Sequence, residues 1–179
     1  MSATQRVQKP VVLLLVLCFV VGLTLLAALG YLLFSIMQKE SLHWAATKGD
    51  IRELESILDH HPEWIENRNR LDCTPLLTAV MKGQLDAAKA LLARGANVNA
   101  TWNLVSTDEG NWTVLHIAAN WRRIEFLDSL VQSGANVNAI SVQGETPCDV
   151  AFRNGDWDML DALHKLGGLR GDEIRKQVK

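Results

Sequence analysis

TPLLTAVMKGQLDAAKALLARGANVNA, residues 74–100, returns as TVLHIAANWRRIEFLDSLVQSGANVNA at residues 113–139. Each copy opens on Thr, runs through a short apolar segment, passes a turn, shows a second apolar segment at helical spacing and closes on GANVNA. Neither segment is long enough to bury its apolar face alone, so units of this kind are stable only when stacked. Two weaker copies flank them, ESLHWAATKGDIRELESIL from Glu40 and TPCDVAFRNGDWDMLDALHKLGG from Thr146. Their third positions, Leu42, Leu76, Leu115 and Cys148, are spaced 34, 39 and 33 apart.

Local signals agree with stacked helix pairs. Thr74-Pro75 and Thr146-Pro147 place Pro at a first helical position behind a Thr cap, where its missing N–H is harmless. Gly95 and Gly134 end the second helices by accepting a left-handed conformation. Alanines in the first helices let neighbouring units approach closely, and Leu85, Ala88, Leu91 and Leu92, or Ile124, Leu127, Leu130 and Val131, form one face of the second.

The pattern resembles the ankyrin repeat: T-P-L-H-x-A-A, then x-x-G, then a leucine-rich helix and G-A-x-V-N-A. The resemblance implies an all-α solenoid of about four helix-turn-helix repeats with β-turn fingers over residues 38–168, in repeats of about 38–70, 71–103, 104–139 and 140–168. The third repeat has Arg122 where Gly49, Gly83 and Gly155 turn the others, and Asp72 and Asn111 replace the Gly before the Thr, residues that tolerate positive φ. The family's turn-bridging histidine is kept as His43 and His116. Repeat one is expected to cap one end of the stack, ending at Pro62, and a charged tail at 169–179 to solvate the other. Trp44, Trp64 and Trp157 read as core or cap residues.

Ahead of the repeats, a 27-residue run at 11–37 carries no charge. As a helix it spans roughly 40 Å at about 1.5 Å per residue, enough for a hydrocarbon core of about 30 Å. It outruns the apolar region of a cleavable signal, so the expectation is one transmembrane helix after a short segment at 1–10. Arg6 and Lys9 before the run slightly favour a cytoplasmic N-terminus. Removing those two from 18 basic residues leaves 16 against 20 acidic ones in 38–179, which offers nothing to a nucleic acid.

Tests for chemistry return nothing. His60-His61 lacks a ligand cluster at metal spacing, no nucleophile has a base and orienting group, and no phosphate loop is present. Cys73 and Cys148 sit two stacking steps apart, farther than a disulfide reaches. The chain is therefore read as a non-enzyme with no cofactor, metal or small-molecule substrate.

What the resemblance implies is action by binding. The family's variable contact positions fall on Thr47, Lys48, Cys73, Met81, Lys82, Trp112, Asn120, Trp121, Glu145, Arg153 and Asn154, with Arg123 nearby. The finger at 101–110 is six residues longer than its neighbour at 140–143 and adds Trp102, Leu104 and Val105. Trp102 and Trp112 either pack on each other to stiffen a lengthened loop or contact a partner. Compact ankyrin proteins on one anchor resemble those of bacterial envelopes, which implies an inner-membrane location, an extracytoplasmic repeat domain, and stress protection of periplasmic partners or neutralisation of an effector. The alternative is a scaffold holding a cytoplasmic complex at the membrane. The partner itself is an unidentified protein.

Overall fold

The computed structural model describes residues 3–103 and 110–177. The chain divides into two compact units, Met1–Lys39 and Glu40–Lys179. Its helices are α1 (Ala3–Lys48), α2 (Ile51–His60), α3 (Pro75–Lys82), α4 (Leu85–Ala93), α5 (Val114–Asn120), α6 (Leu127–Gln132), α7 (Pro147–Arg153), α8 (Trp157–Lys165) and α9 (Gly171–Gln177). Short 3₁₀ turns at Pro62–Glu66 and Ile124–Phe126 complete repeats one and three.

In the first unit the side chains of Leu17 and of residues 19–33 are described, and the large ones are exposed. Among the described residues no helix is long and apolar enough to cross a membrane. The span expected over 11–37 is not established by these residues.

The second unit is built as the caps dictate. Thr74 Oγ1 accepts from the N–H of Leu77 at 3.3 Å, Pro75 takes the first helical position of α3, and Gly83 closes that helix at φ 74°. Thr146 begins α7 in the same way, and the side chains of His116 and Asp149 accept in turn from the backbone N–H of Thr113 and Thr146. Ala45, Ala46, Ala79, Ala118, Ala119 and Ala151 are buried, and α3 packs on α5 and α5 on α7.

The second Asn of each GANVNA phrase explains why the phrase recurs. Asn99 donates from Nδ2 to Gly134 O at 3.0 Å and accepts from Asn136 N at 2.8 Å. One repeat on, Asn138 donates to Gly167 O at 3.1 Å and accepts from Leu169 N at 2.7 Å. Each repeat thus clamps the start of the next finger, and the long insertion lies outside this ladder. Asp72 and Asn111 adopt φ of 58° and 59°, as expected of residues that tolerate the left-handed region, and Arg122 holds φ 55° in the repeat-three turn, a strained conformation for arginine.

Two expectations are corrected. Trp44 and Trp157 are both 63% exposed and form no part of the core, whereas Trp64 is buried. Trp44 matches Thr78, Ile117 and Val150, which are buried within the stack, and no repeat unit precedes Trp44 among the described residues. The second helix of repeat three begins as a 3₁₀ turn, so Ile124 is exposed and Phe126 takes the core. Within the charged tail, Gly171–Gln177 form α9. Gly171 N donates to Asp149 Oδ2 at 2.8 Å, and the Arg170 guanidinium carbon lies 4.0 Å from the centroid of the Phe152 ring.

Thr146 ties this terminal helix to the stack. Its hydroxyl accepts from Asp149 N at 3.2 Å and donates to Leu169 O at 2.8 Å, and the residue is fully buried. Thr146→Val keeps the shape but orphans both groups, and is expected to cost about 1 to 2 kcal/mol in urea unfolding. An unchanged midpoint would show that water replaces both bonds.

Candidate functional site

The lengthened finger is organised by its two tryptophans. Trp102 and Trp112 exchange backbone hydrogen bonds of 2.7 and 3.2 Å in an isolated antiparallel bridge, and their rings meet edge to face at 6.3 Å. Trp102 is half-buried and its indole Nε1 donates to Leu71 O at 2.7 Å, tying the finger to the preceding one. Asn111 N donates to Asn103 Oδ1 at 2.8 Å at the base of the insertion. Trp112 is only 1% exposed, stacked 6.0 Å from His116, with the Arg153 guanidinium carbon 6.0 Å from its ring centroid. Its expected place on the contact surface is corrected: pairing across the finger turns the ring inward, where it supports the surface from beneath. Leu104 and Val105 lie outside the described residues.

The ends of the first helices of the repeats, α3, α5 and α7, which pack on one another and are the inner helices of the stack, form a second feature. Trp121, the C-cap of α5, is 49% exposed, and Lys82 at the matching position of α3 is exposed too. Met81 is half-buried and packs on the core, with Cys73 Sγ 3.8 Å from its sulfur. Arg153 Nη1 donates to both oxygens of Glu145 at 2.9 and 3.1 Å, so these two contact positions neutralise each other. Asn120 Oδ1 accepts from Asn154 Nδ2 at 3.3 Å. Arg122 Nη2 donates to Asn154 O at 3.0 Å, and its Nε stands 3.7 Å from Asp156.

The buried histidines join repeats. His43 Nε2 lies 3.0 Å from Asn67 O and its Nδ1 3.3 Å from Thr78 Oγ1. His116 Nε2 lies 3.0 Å from Glu145 O, while its Nδ1 accepts from Thr113 N at 3.2 Å. Burial lowers the pKa of His43 and, outweighing the Glu145 carbonyl, takes that of His116 down to about 4. Cys73 and Cys148 are buried free thiols, pushed up to about 11 and about 12 by burial and then by Asp72 and Asp149 respectively. Such thiols stay protonated and make poor nucleophiles. Among the described residues no group of three or more His, Cys, Asp or Glu is placed to hold a metal ion.

This geometry, paired short helices clamped by asparagine and bridged by histidine, coincides with matches to a family model described as ankyrin repeats (many copies), at residues 42–92, 76–128 and 115–164. The chain belongs to the ankyrin-repeat family. Among curated proteins, mouse inversin is 30% identical over 125 residues, covering 70% of this chain and 11% of its own length. The human transient receptor potential cation channel subfamily A member 1 is 32% identical over 129 residues, covering 70% of this chain and 11% of the channel. Alpha-latrotoxin-Lg1a of Latrodectus geometricus is 26% identical over 137 residues, covering 75% of this chain and 9% of the toxin. The chain thus spans about a tenth of each relative, and what is shared is the ankyrin stack, an interaction module.

Within the stack, the positions taken from the sequence divide. Lys82, Trp121 and Arg153 are exposed, and Asn120, Arg123 and Glu145 are partly so. Cys73 and Trp112 are not accessible. Sequence reasoning missed Leu71, Ile140 and Val142, exposed apolar residues on the fingers. Val142 N donates to Gly110 O at 2.9 Å, so the third finger leans on the lengthened one. Their signal was an apolar residue inside a turn, where polar ones are usual.

Proposed function

We propose that the ankyrin stack binds a protein partner through the inner-helix ends of repeats two to four, centred on Trp121, while residues 11–37 hold the chain in a membrane. Half-exposed Trp121 carries the binding reading: a large indole left open beside cations resembles the anchors that dominate interface energetics. The anchor is supported by the 27-residue uncharged run, which lies wholly within α1. With a cytoplasmic N-terminus the stack stands outside the cytoplasm, on the periplasmic face of a bacterial inner membrane. In that setting the partner is an envelope protein shielded under stress or an effector to be neutralised.

Trp121→Ala is expected to weaken partner binding by roughly 30-fold, the loss of about 2 kcal/mol typical of a hot spot, while leaving the unfolding midpoint in place. Unchanged affinity sinks the reading. A photoreactive residue at 121, crosslinked in the native membrane, identifies the partner. Fusing alkaline phosphatase and a fluorescent protein in turn to Lys179 tests orientation. An active phosphatase supports the extracytoplasmic stack, and fluorescence with inactive phosphatase would make it a scaffold on the cytoplasmic face.

A further inference from the structure

The turn of repeat three reads Trp121-Arg122-Arg123, where the matching turns read Lys48-Gly49-Asp50, Lys82-Gly83-Gln84 and Asn154-Gly155-Asp156. Arg122 occupies the left-handed position and sends its guanidinium forward to Asn154 and Asp156 of repeat four. Arg123 turns back instead. Its guanidinium lies against the Gly83 turn of repeat two, so close that a Cβ at Gly83 would stand 2.8 Å from Cζ. There it has no acceptor: Nε is shut away from solvent without a hydrogen-bond partner, and no described carboxylate pairs with the side chain. Gln84, at the same position in repeat two, has one, donating to Thr47 O at 3.2 Å.

The surroundings do not supply the missing charge. Asp156 already serves Arg122 and accepts from Met159 N, and Glu145 is held by Arg153. Asp86 and Glu125, in the first turns of the neighbouring outer segments, are exposed and make no pair with Arg123. Lys82, beside Gly83, is exposed and unpaired among the described residues, and Trp121, two residues before Arg123, presents half its surface. In a domain that is acidic overall, the adjacent turns of repeats two and three therefore offer an unpaired guanidinium, an ammonium and an open indole.

We propose that Arg123, Lys82 and Trp121 receive an acidic segment of the protein partner, with a carboxylate accepting from the terminal nitrogens of Arg123 and an apolar side chain resting on Trp121. The inference rests on the protein-binding reading above and names the chemistry of what is bound. A guanidinium already desolvated along one edge gives up less hydration when it takes a carboxylate, and the resulting bond is charge-assisted.

The test uses the full chain and a short fluorescent peptide alternating Glu and Leu, with its Gln and Leu counterpart as control. The acidic peptide is expected to bind at least about 10-fold more tightly, and to lose most of that advantage in high salt. Arg123→Gln and Lys82→Gln are each expected to weaken it at least about 5-fold, Arg123→Lys less, and Lys89→Gln on the outer helix not at all. Lys82→Gln replaces an exposed side chain, and unchanged thermal melting of that variant separates binding from folding. Equal binding of the two peptides, or an effect of Lys89→Gln as large as that of Lys82→Gln, overturns the inference. If a crosslink from position 121 still captures a protein through a segment without acidic residues, the protein-binding reading stands and only this inference falls.

Discussion

Acidifying the protein from pH 7 to about pH 4.5 is expected to remove about 2 to 3 kcal/mol of stability through His116 alone, at about 1.4 kcal/mol per unit of pKa difference. The ring is fully buried, with both nitrogens committed. Accepting from Thr113 N leaves Nδ1 unprotonated, so Nε2 carries the hydrogen and donates it to Glu145 O. A second proton would face the Thr113 N–H across an interior without water to solvate the charge. The folded pKa is therefore about 4, below the ordinary 6.5. Above 6.5 neither state is protonated and His116 adds no pH dependence. Between 6.5 and 4 the unfolded chain takes a proton that the native chain refuses, so stability falls as pH falls. His43, lowered by burial in the same direction, adds to the slope. Urea unfolding at several pH values should show that slope, and His116→Gln should reduce it at some cost in stability at neutral pH. A wild-type curve flat from pH 7 to about 4.5, or a mutant curve of equal slope, would rule out the burial argument.

Much of this was legible in the sequence because the stack needs particular residues at fixed intervals. Thr and Pro at helix starts, histidine at the bridge and asparagine in GANVNA each do one job that few other side chains can do. The left-handed positions at Asp72 and Asn111 were readable for the same reason, since both residue types tolerate positive φ, whereas arginine at 122 left the shape of its turn open between strain and an altered geometry.

What the sequence did not disclose depends on contacts without periodicity. Trp112 falls on a contact position by counting, yet its bridge to Trp102, ten residues away across a longer finger, turns it inward. Trp44 lies in the first repeat, with no repeat unit before it among the described residues, and Trp157 starts a second helix at a position that is not buried in the inner repeats either, as Ile124 shows. The adjacent arginines at 122 and 123 look alike on paper. A left-handed residue between two helical segments sends one forward and the other back, so only one finds a carboxylate.

Replacing Trp112 by alanine is expected to cost about 4 kcal/mol, near the top of the range for a buried aromatic. The side chain is the largest of those fully buried among the described residues and holds the finger bridge, His116 and Arg153 about one ring. Its removal leaves a void on three sides that the rigid inner helices cannot collapse to fill. Phenylalanine should behave very differently. The indole Nε1 of Trp112 is buried with no hydrogen-bond partner, a condition that costs about 1 to 3 kcal/mol in itself. Trp112→Phe loses ring area but also removes that orphan, so the two effects oppose and the net change is expected within about 1 kcal/mol. Partner affinity should then separate two tryptophans that the sequence placed in one class. Trp112→Phe should leave binding intact because the ring does not reach the surface, while Trp121→Ala should lose binding and keep the fold. If Trp112→Phe destabilises as much as alanine, Nε1 has an acceptor and the inward ring is held by a hydrogen bond; if it abolishes binding at normal stability, the ring turns outward to meet the partner.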